Sequence, residues 1–146
     1  MITTTLSFLL MSIFLFISFL HLYWVLGGKW ASDRVFPEQL GKISNDGKMS
    51  LFMAIATVIV AVAFMFFAYL VAAFNGRVVN VLSAEIIKFL LIGLTAIFTI
   101  RAIGDFKYVG FFKSNKEGLF AYWDSKLYSP LCLGIAISLA TILLLS

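Results

Sequence analysis

Four long apolar runs separated by polar linkers dominate the pattern of hydrophobic and polar positions along the chain. A helix needs roughly 20 residues to cross a bilayer core of about 30 Å. Four segments meet that length, at about Thr5–Leu26, Met49–Phe74, Ser83–Phe106 and Ser129–Ser146. The pattern predicts one all-α domain over residues 1–146, a polytopic membrane protein that forms a four-transmembrane-helix bundle.

The first apolar run and the basic residues predict how the helices are oriented. The run has no basic segment before it and is too long for the apolar core of a signal peptide, so we expect it to remain as a spanning helix. Eight basic residues lie in the first and third linkers, whereas the second linker holds one, Arg77. Because basic residues favour the cytoplasmic side, we expect the long linkers in the cytoplasm and both termini on the non-cytoplasmic side.

The composition excludes several classes of function. With 62% hydrophobic and 12% charged residues, the chain lacks the polar surface of a soluble domain. Its net charge of +4 comes from residues beside apolar spans, which indicates membrane lipids rather than nucleic acid as partners. Cys132 is the single cysteine, His21 is the single histidine, and no phosphate-binding glycine loop is present, so we expect no internal disulfide, no metal and no cofactor.

Small and polar residues predict which helix faces pack together. We expect one stripe of the first helix to face the bundle: Ser7, Met11, Phe14, Ser18, His21, Val25 and Gly28. The opposite side is suited to lipid: Phe8, Ser12, Phe16, Phe19 and Tyr23. The second helix has a face of mostly small residues, which let helix backbones approach closely: Ser50, Ala54, Thr57, Ala61, Ala68 and Ala72. In the fourth helix Gly134, Ser138 and Thr141 predict a similar face.

The third helix carries the clearest candidate site. Arg101 and Asp105 are one turn apart and can pair along one face, which Tyr108 continues. Gly104 leaves room beside them for a neighbouring backbone or a ligand. We expect Arg101 to be buried and paired with Asp105, and Lys88 to extend toward the other membrane surface.

The predicted topology brings further polar residues to the same membrane face. His21 and Trp24 lie near the cytoplasmic end of the first helix, and Asp124 lies in the third linker. A histidine among carboxylates and an arginine can exchange protons or bind a polar headgroup, although a lone histidine in a membrane helix is more often a packing residue. Asp124 either caps local backbone or points at His21 or Arg101. The candidate ligand-binding residues are His21, Trp24, Arg101, Asp105, Tyr108 and Asp124, and the candidate catalytic residues are His21, Asp105 and Asp124.

The two long linkers are rich in aromatic side chains interleaved with lysines. We expect them to lie along the lipid headgroups, with a short interfacial helix near Glu117–Lys126. Two interpretations remain open, namely an anchor at the membrane surface and a lid over a cavity at the helix ends.

Three blocks of the sequence resemble one bacterial membrane family. They are His21-Leu-Tyr-Trp-Val-Leu-Gly-Gly28 followed by Trp30, Arg101-Ala-Ile-Gly-Asp-Phe-Lys-Tyr-Val-Gly-Phe-Phe-Lys113, and Phe120-Ala-Tyr-Trp-Asp124 with Tyr128-Ser-Pro-Leu-Cys132. The blocks are distributed over nearly the whole chain and are similar to the family filed as domain of unknown function 3995. This resemblance implies a small multi-pass protein of the bacterial cytoplasmic (inner) membrane and brings no established activity.

Three functions fit these features. The first is a non-catalytic binding or accessory protein whose polar and aromatic cytoplasmic end holds a lipid headgroup, a small amphiphile or a segment of a partner subunit. The second is a membrane-embedded enzyme acting on a lipid or isoprenoid substrate, with His21 as acid or base, Asp105 or Asp124 as its partner, and Arg101 stabilising charge. The third is a proton- or solute-conducting oligomer. The expected partners are membrane lipids and either a larger membrane protein complex or further copies of the chain.

The predicted orientation can be tested by the sidedness of the linkers. Cysteines placed at Lys42 and Lys116 should react with a membrane-impermeant maleimide from the same compartment, because both linkers are expected at one face. Labelling from opposite compartments would contradict this topology and remove the basis for one shared site.

Overall fold

In the residues that the structure describes, all regular secondary structure is helical. The structure is a computed structural model, and it describes residues 1–31 and 50–145. The elements in these ranges are α1 (Ile2–Val25), α2 (Leu51–Phe74), α3 (Ala84–Ile103), α4 (Leu119–Trp123), a π-helical turn (Asp124–Tyr128) and α5 (Ser129–Leu144). Four helices within these ranges are long and apolar enough to span a membrane. The prediction of an all-α protein with four such helices is confirmed.

The last spanning helix begins earlier than the sequence predicts. Residues Leu119–Leu144 form one helix of 26 residues that includes α4, the π-helical turn and α5. The helix thus starts at Leu119 rather than at Ser129, and the segment expected as a separate interfacial helix supplies its first turns. Ser129 therefore lies inside the helix, where its hydroxyl donates to Asp124 Oδ2 at 3.2 Å.

Pro130 gives a physical reason for the π-helical turn. Proline has no backbone N–H, and in a regular α-helix its ring would meet the carbonyl of Lys126, four residues earlier. The wider π-helical turn includes Lys126 and ends at Tyr128, two residues before Pro130, which leaves room for the ring, so the helix continues to Leu144.

The bundle consists of two long helix pairs that close on one another. The α1 helix packs along α2 and α3 packs along α5, while contacts of α2 with α3 and of α1 with α5 join the pairs. An aromatic layer lies at the centre, where the fully buried Phe14 ring contacts Phe64, Phe67 and Phe98 at centroid distances of 5.9, 5.9 and 5.8 Å. Aliphatic side chains from all four helices complete the core: Leu10, Leu70, Val71, Leu91, Leu94, Ile135 and Leu139.

The predicted packing faces are confirmed for α1 and α2. The buried members of the two predicted stripes are Ser7, Phe14, Ser18, Thr57, Ala61, Ala68 and Ala72. The Ser18 hydroxyl donates to the Ala61 carbonyl at 2.8 Å, which links the two helices where small side chains bring their backbones close.

The predicted packing face of the last helix is wrong. Gly134 is exposed, and a Cβ there would meet no atom within 4 Å. The face that packs carries larger aliphatic side chains, among them Ile135, Leu139 and Ile142. A few small residues among leucines and isoleucines do not determine which face the helix buries, because the aliphatic side chains pack equally well against the bundle.

The close approach of α1 and α2 can be tested by enlarging one alanine. Ala61→Leu should lower the free energy of unfolding by about 1–3 kcal/mol, because Ala61 is 1% exposed and packs against α1. Ala56→Leu on the exposed face of α2 is the matched control and should have little effect. Unfolding in detergent measures both, and equal effects would contradict this packing.

Candidate functional site

The segment after α3 folds back onto the end of that helix. The amide of Phe111 donates to the Ala102 carbonyl at 2.9 Å and that of Phe112 to the Ile103 carbonyl at 3.4 Å, so the loop satisfies carbonyls that the helix end leaves open. Gly104 and Gly110 have φ angles of +96° and +92° and lie against each other. A Cβ on either glycine would collide with backbone of the other strand of the loop, so the turn requires both.

Asp105 organises this loop from within. Its Oδ1 accepts the amides of Lys107, Tyr108 and Val109 at 2.9, 2.7 and 2.9 Å. These hydrogen bonds, that of Val109 first, lower the pKa of Asp105 below its ordinary value of 3.8. The side chain is exposed, so Asp105 is a loop-capping residue at the surface.

The folded-back loop brings Gly110 and Lys113 to Asp124, whose side chain is 0% exposed. Asp124 Oδ1 accepts Arg101 Nη2 at 2.7 Å, while Oδ2 accepts Lys113 Nζ at 2.8 Å, the Gly110 amide at 2.8 Å and the Ser129 hydroxyl at 3.2 Å. We call these five residues the Asp124 cluster. It joins α3, the loop and the last helix at a single buried carboxylate.

Lys113 is the most completely enclosed cation of the cluster. Its side chain is 1% exposed. Besides Asp124, the ammonium donates to the Ser125 hydroxyl at 2.6 Å and to the Gly110 carbonyl at 3.3 Å. Three acceptors match the three protons of an ammonium group, so Lys113 is fully satisfied by the protein.

Arg101 differs from Lys113 in having donor capacity left over. Its side chain is 32% exposed, and Nη2 is engaged with Asp124. Within residues 1–31 and 50–145, the buried Nη1 atom has no hydrogen-bond acceptor. The cluster holds two cations and one carboxylate, so it also carries one positive charge that its own side chains do not neutralise.

The expected pairing of Arg101 with Asp105 is wrong. The carboxylate of Asp105 is occupied by amides of its own loop, because the α-helix ends at Ile103 and the chain turns sharply at Gly104. Arg101 is paired as expected, but its partner is Asp124, one of the alternatives that the sequence left open. Lys113 was missed altogether, since a lysine in a linker is indistinguishable in the sequence from one that marks the cytoplasmic side.

The hydrogen bonds of His21 and Trp24 within the described ranges go to backbone carbonyls near them in sequence. The hydrogen bond of His21 in the described ranges joins Nδ1 to the Ile17 carbonyl at 2.8 Å, and the ring packs on Trp24 and Phe64 at centroid distances of 5.1 and 6.0 Å. Trp24 Nε1 donates to the Trp30 carbonyl at 2.8 Å. Hydrogen bonds therefore do not connect His21 with Arg101, Asp105 or Asp124 in the part of the chain that the structure describes.

Aromatic and basic residues flank the members of the Asp124 cluster in the sequence, and several of their side chains lie at the surface. Phe106 and Phe112 are 63% and 66% exposed and pack on each other at a centroid distance of 6.5 Å. The Lys126 ammonium lies 4.9 Å from the centre of the Tyr122 ring, and that of Lys107 lies 5.1 Å from the Tyr108 ring. The two interpretations of this rim, as an anchor and as a lid, stay predictions. The binding and catalytic roles of the candidate residues also stay predictions.

Removing the charge of Asp124 tests the cluster. Asp124→Asn should lower the free energy of unfolding by about 3–5 kcal/mol, because it leaves Arg101 and Lys113 without a counter-charge. Adding Lys113→Met should recover part of that loss. The exposed Asp105→Asn is the matched control, and unfolding in detergent measures all variants. If Asp105→Asn lowers the free energy of unfolding as much as Asp124→Asn does, the ion pairs of the cluster are contradicted.

The titration of Asp105 tests the loop. Hydrogen bonds to the ionised carboxylate stabilise the folded loop above the unfolded pKa, and that stabilisation is lost as the pH falls through the lower folded pKa. The amide resonance of Tyr108 should therefore titrate in NMR spectra with a midpoint below 3.8, and not at all in Asp105→Asn. A midpoint above that value would show that the three amides do not bind the carboxylate.

Comparison with known proteins identifies the family of the chain. No curated protein and no solved structure matches it. The family model described as "Protein of unknown function (DUF3995)" matches residues 14–139, a range that includes every member of the Asp124 cluster. The match confirms the resemblance of the three sequence blocks, and the protein, an integral membrane protein with four apolar helices, belongs to the DUF3995 family.

Proposed function

We propose that the protein is a non-catalytic binding or accessory protein of the bacterial inner membrane, which holds an anionic group at the Asp124 cluster on the cytoplasmic face. The single observation that carries this proposal is the charge of the cluster. Arg101 and Lys113 share one carboxylate, and Nη1 of Arg101 has no acceptor in the described ranges. A buried donor and an uncompensated positive charge are both costly, and an anionic ligand offsets both at once.

The environment of the two carboxylates favours binding over acid–base chemistry. Asp124 is enclosed and accepts four hydrogen bonds, so it has no open position for a proton from a substrate. Asp105 is exposed at the surface, and its Oδ1 holds three amides of its own loop. His21 has no hydrogen bond to either of them in the part of the chain described. An enzyme would need these groups to meet around a reacting atom.

The centre of the bundle argues against a conducting path through one copy of the chain. Phe14 is 0% exposed and Phe98 is 6% exposed, and both rings belong to the aromatic layer between the two ends of the bundle. Ions and protons cross membranes along polar or hydrated paths, which this layer interrupts.

The distribution of basic residues supports a cytoplasmic position for the site. The described part of the third linker carries Lys107, Lys113 and Lys116, and it joins directly to the helix that holds Asp124. Such lysine-rich segments are typical of the cytoplasmic side and attract anionic groups there.

Anionic amphiphiles provide the test of this proposal. Purified protein in an uncharged maltoside detergent should be stabilised by oleate and by phosphatidylglycerol, but not by an uncharged diacylglycerol. Stabilisation should amount to about 2.7 kcal/mol at a ligand concentration a hundredfold above Kd. Thermal unfolding measures it for each variant relative to the same variant without ligand.

Two charge-matched variants make the test specific. Arg101→Gln should lose the stabilisation, because it removes the nitrogen that lacks an acceptor. Lys126→Gln removes one positive charge from an exposed position of the same helix as Asp124 and should keep it. If both variants respond like the wild type, or if no anionic amphiphile stabilises the wild type, the proposal fails.

A further inference from the structure

The position of Arg101 around the α3 helix indicates from where a ligand reaches it. Ile97 and Ile100 are 59% and 65% exposed, whereas Phe98 and Ala102 are 6% and 2% exposed. Arg101 therefore lies at the border between the face that looks outward, toward lipid in a membrane, and the face that packs in the bundle. Its side chain is 32% exposed at this border, although Nη1 itself is enclosed.

The depth of Arg101 indicates which anion it meets. It lies in the last turn of α3, directly before the loop whose exposed Phe106 and Phe112 lie close to Lys107 in sequence. Exposed aromatic side chains interleaved with lysines lie at the boundary between acyl chains and headgroups. At that depth the abundant anion is the phosphate of the lipids themselves.

From these two observations we infer that Arg101 binds the phosphate group of an anionic membrane lipid, which enters sideways from the bilayer. This inference rests on the proposed function and specifies its ligand. The Arg101 side chain turns toward the lipid so that the phosphate accepts from Nη1, which is enclosed in this structure. One acyl chain lies along the exposed Ile97 and Ile100. Lys113 does not contact the ligand, because Asp124, Ser125 and Gly110 occupy its three protons.

A phosphate suits Arg101 because its oxygens are not confined to one plane. Nη2 is already bound to Asp124, so an anion cannot form the two-nitrogen contact that carboxylates and phosphates both make with a free arginine. The oxygens of a phosphate point in tetrahedral directions, so one can accept from Nη1 while the others stay in contact with water at the level of the headgroups. Arginine and phosphate form strong charge-assisted hydrogen bonds.

Native mass spectrometry of the delipidated protein in detergent tests the inference. The probes are phosphatidylglycerol, phosphatidylcholine, oleate and inorganic phosphate. We expect phosphatidylglycerol to bind most tightly, phosphatidylcholine more weakly because it has no net charge, and oleate more weakly because it presents a carboxylate. Inorganic phosphate at the same concentration should not displace the lipid, since it has no chain to lie along α3.

Variants connect the binding to Nη1 of Arg101. Arg101→Gln should weaken phosphatidylglycerol binding at least about tenfold, the effect of losing one charge-assisted hydrogen bond. Arg101→Lys keeps a cation beside Asp124 and therefore the fold, but it removes the second donor nitrogen and should show a loss of similar size. Lys126→Gln should change the affinity less than about threefold, as expected for one exposed charge.

Each outcome bears on a different part of the account. Tight binding of oleate with weak binding of phosphatidylglycerol, both dependent on Arg101, would overturn the phosphate inference and leave the proposed function intact. Competition by inorganic phosphate at equal concentration would overturn the lipid as its source. Lipid binding unchanged in Arg101→Lys would remove Nη1 as the contact, and no binding of any anionic probe would refute both proposals.

Discussion

A buried carboxylate shared by two cations determines the local structure around it. Asp124 is fully enclosed, and a charge in that position is stable only if it is paired and hydrogen-bonded. Its partners come from three separate places: Arg101 from the third helix, Gly110 and Lys113 from the loop, and Ser129 from its own helix. The path of the loop follows from this requirement, since the chain must turn back after α3 to bring Gly110 and Lys113 to the carboxylate.

Several unusual backbone features lie around this carboxylate. The loop turns on two glycines with positive φ angles that lie against each other, and the Asp105 carboxylate holds three amides of the same loop. The helix that carries Asp124 widens into a π-helical turn from that residue onward, where Pro130 prevents a regular α-helix. Such turns often occur at functional sites. The cluster is nevertheless incomplete in charge, and this single imbalance connects the fold to the proposed binding of an anionic lipid.

The sequence predicted the fold well and the site only in part. Hydrophobic runs specify four spanning helices, and small residues such as Ser18 and Ala61 specify how the first pair packs. The sequence also identified Arg101 and Asp124 as polar residues near one membrane face. It paired Arg101 with Asp105 because helical spacing describes only neighbours on a continuing helix, and this helix ends at Ile103. The contact of Lys113 with Asp124 depends on the turn of the loop, which no local pattern encodes.

The most direct measurement of the shared carboxylate is a solid-state NMR experiment on the protein in lipid bilayers. Dipolar couplings between ¹³Cγ of Asp124 and the side-chain ¹⁵N nuclei of Arg101 and Lys113 report both contacts in the same sample. A carboxylate shared by both cations predicts strong couplings to both, as expected for N–O distances of 2.7 and 2.8 Å. A coupling from Arg101 to Asp105 in place of Asp124, or no coupling to Lys113, would contradict it.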